Sequence, residues 1–445
     1  MLRWRIIGVW WLCAGVLVGG AWLVSRGGTG AEAEAVSLGL DPAGVGSLRT
    51  ERGGDAVTLE RARGTPWRWV VRSAEGAWAA DEARVRAGLR LLASASLEGR
   101  EGEDAPGEDG TRVAIDSEAG RVELLMAGEA LGGVTEGTLR RDGMNAQVWV
   151  ARDVSLALRP GSLLAWRDGA VLRGLGGGAG RVSVRVGAGG LVLERTARGW
   201  ALREPVRIAA EGDAVESLLG SLRGLRASGF VDSTDDSGGV ALARVVVRTS
   251  LGVSTSGAAS GERSDEVVQT LDLSRSAGAA SVRGDVRWEG GGETLSAAVL
   301  IDPGLLNAVV ADPRAYIRRR AVDVSTSDVR AIVVGDWRGV RSAEGWRVGE
   351  RAARADETRG IEAVLSVLTG AAGRVELLDV LPDGSREIVA EGLSGAVIAR
   401  CWVSSTAGGI AVARTAPSGS GERVVLWDVA TDQGAAIEAW LDDRE

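Results

Sequence analysis

Few stretches of this 445-residue chain bring chemistry-bearing residues together. "GLGGGAGR" at 174–181 holds Gly174, Gly176 and Ala179 in G-x-G-x-x-A spacing. A dinucleotide turn of that kind needs a strand before it and a helix after it, so that pyrophosphate meets the helix N-terminus. Here the strand-like "RVSVRV" follows, which favours a flexible turn. "DSTDDSGG" at 232–239 gathers Asp232, Asp235 and Asp236, but without the alternating oxygens and distal bidentate acid of a calcium loop, so it reads as a solvated loop. Arg318, Arg319 and Arg320 have the forked donors that grip phosphate. Asp312 and Asp323 stand close enough in sequence to neutralise them, which favours surface ion pairs or a partner contact.

Composition removes most catalytic options. The chain has no His, and all 52 basic residues are Arg. A Ser nucleophile then lacks both usual bases, and the commonest metal ligand is missing. No catalytic residue, cofactor or metal ligand is assigned, and the chain is read as a non-enzyme. Paired carboxylates, as in glycosidases, stay open only because sixty acids are spread along the chain. The net charge of −8, with no separate basic stripe, argues against a nucleic-acid partner. Aromatic residues are sixteen Trp with one Tyr and one Phe. The two cysteines, Cys13 and Cys401, lie too differently placed for an intrachain bridge to be expected.

The N-terminus suggests a compartment. Residues 6–24, "IIGVWWLCAGVLVGGAWLV", carry no charge. At about 1.5 Å per residue they nearly cross a bilayer's hydrocarbon layer. Arg3 and Arg5 precede the span, and the positive-inside bias sends everything after Arg26 across. The expectation is a single-pass protein of the cytoplasmic (inner) membrane, its bulk on the periplasmic or extracellular side. A cleaved signal peptide, with "AEAEA" at 31–35 as its small-residue site, is the rival.

The elements that position everything else recur. "RVSVRVGAGGLVLERTARGWAL" reads as a strand, a tight turn and a second strand that ends at Pro205. Asp213 then suits a helix N-cap, with Glu216 completing a capping box, and Val215, Leu218, Leu219 and Leu222 form one apolar stripe. "DVRAIVVGDWRGVRSAEGW" repeats the pattern, with Trp346, an Asp356 cap, and Ile361, Val364, Leu365 and Leu368 on the helix. The first copy is looser: Asp81 is the cap, and Trp69 and Trp78 compete for the Trp position. The caps lie 132 and 143 residues apart, a domain-sized period. More sheet lies between the helices, including hairpins at 111–128 and at "GRVELLDVLPDGSREIVAEG", the second turning at Pro-Asp-Gly. Core packing explains a Trp recurring just before a helix better than a sugar or peptide surface does.

The division read from these signals is an anchor at 1–26, a flexible tether at 27–40, and repeat domains at 41–165, 166–315 and 316–445. The fold class is α+β: an N-terminal transmembrane helix, then tandem antiparallel sheets with one packed helix each.

An anchor followed by units of strand-ending Trp, optional Pro and Asp-opened Leu-rich helix resembles the bacterial domain-of-unknown-function 4340 family. The matching residues are Trp200, Pro205, Asp213, Leu218 and Leu222, then Trp346, Asp356 and Leu365, and the resemblance is read over most of residues 40–400. It implies a membrane-tethered envelope protein, often encoded beside ABC-type export or gliding-like transport components, and it supplies no catalytic residue. The expected function is a non-catalytic accessory or scaffold subunit with a membrane-protein partner. The alternatives are an exported protein that captures a glycan or peptide between repeats and, more remotely, a carboxylate-dependent hydrolase.

Overall fold

The computed structural model describes residues 35–62, 68–99, 110–127, 134–175, 178–231, 239–250, 266–276, 280–290, 293–304, 312–406, 409–419 and 421–444. The 6–24 span, Gly176, and Asp232, Asp235 and Asp236 lie outside the described residues. Among the described residues no helix is long and apolar enough to cross a membrane.

The chain is mostly β, with few helices and large antiparallel sheets; the antiparallel sheets of the α+β expectation are present, with less helix than that class implies. The first run of elements is β1 Ala35–Ser37, β2 Val45–Arg52, β3 Asp55–Arg61, β4 Trp69–Ser73, β5 Gly76–Ala79, helix α1 Glu82–Ser94, β6 Ser96–Gly99, β7 Thr111–Ser117, β8 Gly120–Met126, β9 Val134–Arg141 and β10 Met144–Ala151. Short helices α2 Arg152–Ala157 and α3 Pro160–Leu164 follow. The second run is β11 Ala179–Val186, β12 Gly189–Thr196, β13 Gly199–Glu204, β14 Ile208–Ala209, helix α4 Gly212–Gly224, β15 Ala227–Val231, β16 Val240–Ser250, β17 Glu266–Arg275, β18 Val282–Gly290 and β19 Glu293–Ile301. The third is β20 Val329–Val334, β21 Trp337–Ser342, β22 Gly345–Val348, β23 Arg351–Ala352, helix α5 Ala355–Thr369, β24 Arg374–Leu378, β25 Arg386–Gly392, β26 Val397–Thr406, β27 Gly409–Ser418, β28 Gly421–Ala430 and helix α6 Gly434–Asp442.

Hydrogen-bond pairing follows one path three times. In the first run the order is β4-β3-β2-β7-β8-β9-β10-β6-β1. In the second it is β14-β13-β12-β11-β16-β17-β18-β19-β15. In the third it is β23-β22-β21-β20-β25-β26-β27-β28-β24. Each time the chain winds outward from its opening strand and enters the helix. The short strand after the helix then pairs with the last long strand; β15 and β24 stand last in their orders, while β6 is in turn covered by β1. The strands have the alternation that one buried sheet face requires, as in β17, whose Leu271 and Leu273 point inward between polar neighbours.

The compact units number two where three domains were expected. One draws its described residues from Met1–Ala62, Trp67–Ala74 and Ala79–Arg167; the other from Arg63–Pro66, Glu75–Trp78 and Asp168–Glu445. The second and third sheets share the latter unit, joined by bridges Val206↔Ser418 and Ala210↔Ile317 and by the Trp427 indole N–H on the Arg318 carbonyl at 2.7 Å.

Several local expectations change. Residues 35–40, expected within the tether, are folded: Ala35–Ser37 pairs with β6, and Leu38 and Leu40 are buried. The stretch from Leu191 to Trp200 is two strands, broken by a turn at Ala197 and Arg198 into Gly199, whose φ of 110° suits only glycine. Strand β13 does end ahead of Pro205. The 111–128 hairpin forms as β7 and β8. The hairpin expected across Pro382-Asp383-Gly384 does not: β24 pairs with β28, while β25 pairs with β20 and β26. A turn signal shows where the chain bends and leaves the pairing of the flanking strands open.

Helix α1 opens as expected, with the Asp81 carboxylate accepting from Ala83 N at 2.9 Å and Arg84 N at 3.2 Å. Helix α4 instead starts at Gly212 with Glu211 at the cap, so Asp213 sits inside its first turn, where a negative charge still suits the helix dipole. Helix α5 starts at Ala355, so Asp356 is also a first-turn residue. The apolar stripes hold: Leu218, Leu222 and Leu365 are buried with their neighbours.

Candidate functional site

The residues singled out by the repeat meet at one place in each run, the seat between the third strand and the helix. Trp69, Trp200 and Trp346 lie at or next to the start of β4, β13 and β22, and are 7%, 7% and 6% exposed. Each Trp carbonyl accepts from the residue just before the helix cap: Ala80 N at 2.9 Å, Ala210 N at 2.9 Å and Ala353 N at 2.8 Å. Each Trp also stands directly across from an arginine of the preceding strand, in the pairs Arg61↔Trp69, Arg195↔Trp200 and Arg341↔Trp346. The guanidinium of Arg61 lies 5.3 Å from the Trp69 ring centre and that of Arg341 4.8 Å from the Trp346 ring. This is a cross-strand cation–π contact repeated in the first and third seats.

The first copy's ambiguity is thereby resolved. Trp69 fills the repeat position. Trp78 belongs to the second unit, where its indole N–H donates to the Asp168 carbonyl at 2.6 Å. Its ring meets Trp288 at 4.3 Å and the edge of Phe230 at 5.4 Å.

What lies beside the Trp differs among the three seats. Glu216, expected to complete a capping box, instead accepts the Trp200 indole N–H at 3.3 Å. The equivalent fifth helix position is Arg86 in α1 and Arg359 in α5, and the ninth is Arg90, Gly220 and Ala363 respectively. Only the first seat therefore has two arginines here. It opens into a cleft of ≈ 630 Å³ with Arg61, Arg68, Arg86 and Arg90 around Trp69, Val85 and Leu89. Arg61 is held by the Ala43 carbonyl at 2.7 Å, and Arg86 lies 4.0 Å from Glu82.

The third helix starts on a residue that sequence reasoning passed over. Glu357 is buried, with its side chain 2% exposed, and takes both Arg351 guanidinium nitrogens at 2.7 Å and the Arg354 backbone N–H at 2.7 Å. The Arg351 bonds, helped by Arg354, outweigh burial and pull its carboxyl down to about 2. In the first two runs the corresponding cap N–H donates to a carbonyl of the segment after the last strand: Asp81 N to Trp166 and Glu211 N to Tyr316, both at 2.7 Å. The carboxylate stands in for that segment. The available signal was Glu three residues after the cap, hidden by the neighbouring Asp356.

Two glycines were also missed. A Cβ on Gly88 would overlap the Trp166 indole, and one on Gly360 would overlap the Trp440 indole. In both helices an indole lies against the backbone at a position only glycine leaves open.

The other candidates do not converge. Arg318 pairs with Asp323 and donates to the Ala210 carbonyl at 3.2 Å, Asp312 pairs with Arg314 at 2.8 Å, and Arg319 and Arg320 face outward. Gly174 has a φ of 64°, and the next described residues lead into strand β11, so among the described residues a strand and not a helix follows. Cys401 is buried, which pushes its thiol up to about 11. No group of three or more metal-ligating side chains occurs among the described residues.

Taken together, the seats define a β-rich chain in which a Trp-floored helix platform recurs. Residues 67–240 match the family model described as Domain of unknown function (DUF4340), so the resemblance read from the sequence stands over that span. The match takes in Trp69, Asp81, Trp200, Pro205, Asp213, Leu218 and Leu222, and leaves Trp346, Asp356 and Leu365 outside it. It is narrower than the 40–400 read from the sequence. No curated protein and no solved structure matches the chain.

Proposed function

We propose that this is a non-catalytic envelope protein, held to the cytoplasmic membrane by residues 6–24, whose three sheet-and-helix runs are tandem copies of one unit on the far side. The copies form a scaffold for a membrane-protein partner, as an accessory subunit of an ABC-type transport system. The observation that supports this reading is the recurrence itself: the same central strand order three times, apart from the edge strands, with the carbonyls of Trp69, Trp200 and Trp346 bonded alike. Residues kept at one place by packing have a structural duty in every copy, and a chain of such copies offers surface. Anchoring raises the effective concentration of that surface toward a partner in the same membrane.

The test is fractionation followed by co-purification. Carbonate-washed membranes should retain the chain, and protease added to spheroplasts should digest it. Mild-detergent extracts should bring a membrane transport protein down with it. Recovery as a shortened soluble chain overturns the anchor, and a clean monomer with no companion overturns the scaffold.

A further inference from the structure

Resting on the anchored reading above, we propose that the Trp69 cleft of the first unit seats the phosphate of an anionic phospholipid headgroup at the surface of its own membrane. Four guanidinium groups, Arg61, Arg68, Arg86 and Arg90, line the cleft against one carboxylate, Glu82. The whole chain is net −8, so this positive site runs against its overall charge. Arg61 is committed to the Ala43 carbonyl and the Trp69 face, and Arg86 to Glu82. Arg68 and Arg90 are exposed and have no ion-pair partner among the described residues. Guanidinium forks bind phosphate oxygens in pairs, and two free forks beside two anchored ones form such a receptor.

The floor fits the rest of a lipid. Trp69, Val85, Leu89, Pro42 and Ala43 give an apolar base on which a glycerol backbone and its first methylenes can lie. The volume, ≈ 630 Å³, lies within the range of small-molecule sites.

Chain length points to the same ligand. Ten residues separate Val24 from Ala35, where β1 is already tied to β6. Fully extended, they span at most about 35 Å. Pro42 and Ala43, which line the cleft, follow a few residues later, so the cleft is tethered near the headgroups. The copies farther along the chain have lost the feature: Glu216 and Gly220 stand at its two helix positions in the second, and Arg359 and Ala363 in the third, where Arg359 donates to the Ala355 carbonyl. The charge is thus concentrated in the copy nearest the anchor.

The experiment uses the full chain in a neutral detergent. Calorimetric titration compares dihexanoyl phosphatidylglycerol, dihexanoyl phosphatidylcholine and inorganic phosphate. Phosphatidylglycerol should bind saturably and more tightly than either of the others. Arg68→Glu/Arg90→Glu should weaken it by about tenfold or more, in line with the loss of two cations from an anionic site. The neutral pair Arg68→Gln/Arg90→Gln should weaken it less but measurably, and it serves if the charge reversal lowers the melting temperature. Arg319→Glu/Arg320→Glu, with the same change of charge on another exposed pair, should leave binding as it is. Equal affinity for phosphatidylcholine, an unaffected Arg68/Arg90 variant, or a loss in the Arg319/Arg320 variant overturns the proposal. Inorganic phosphate binding as tightly as the lipid also overturns it, in favour of a free-anion site. Failure of the anchor would appear separately, as release of the chain by carbonate with the titration unchanged.

Discussion

Replacing Glu357 with Gln keeps the shape of the third helix start and removes its charge. The wild-type carboxylate accepts two 2.7 Å bonds from Arg351 and one from the Arg354 backbone while almost fully buried. These bonds pull its carboxyl from 4.5 to about 2, and each pKa unit corresponds to about 1.4 kcal/mol, giving an upper bound of about 3 kcal/mol. Arg351 is 48% exposed and Arg354 68%, so solvent screens both, and a realistic share is about 2 kcal/mol. Because the folded-state value is depressed, the contribution is full above about pH 4.5 and is lost as pH falls through about 2. Thermal melts of the full chain at pH 7 should place Glu357→Gln about 4–8 °C below wild type. At pH 3 the gap should shrink to about half or less, since the carboxyl of the unfolded chain is then protonated while the folded one is still mostly ionised, so that folding must release a proton. All other carboxylates titrate in both proteins and cancel in the difference. A gap that stays constant or widens on acidification would refute the assignment of Glu357 as the charged keystone of that helix.

Gly88→Ala and Gly360→Ala should each lower stability by about 1–3 kcal/mol, although alanine is the better helix former, because the new methyl overlaps Trp166 or Trp440; a stabilised variant in chemical denaturation would show that the indoles do not sit there. Trp200→Ala should cost about 3–5 kcal/mol and reduce expressed yield, whereas wild-type melting would place that ring on a binding surface instead. Asp81→Ala should cost about 0.5–2 kcal/mol, while Asp213→Ala, which removes only a first-turn charge, should cost under about 1 kcal/mol. Equal losses in the two melts would restore Asp213 as a cap.

The sequence alone carried whatever depends on neighbours within a turn or two. Period-two runs such as 266–275 became strands, and the 3.6-residue stripes through Leu89, Leu222 and Leu365 became the buried faces of the three long helices. A Trp before a helix marked the repeat, because burying an indole is worth enough to be met by the same residue at the same place. Local signals failed where two similar groups stood within reach. Asp356 looked like the cap, but only Glu357 is placed to reach Arg351 and the Arg354 N–H together. Trp69 and Trp78 had equal claims until the Ala80 N–H and the Asp168 carbonyl, distant in sequence, chose between them. Pairing was hidden for the same reason. That β24 lies against β28 and not β25 depends on closing a loop of roughly fifty residues, a cost paid by packing that no turn motif records. The cleft beside Trp69 is likewise a tertiary product: Arg61 at the end of β3, Arg68 just before β4, and Arg86 and Arg90 on a helix become one charged site only when the helix settles over the sheet.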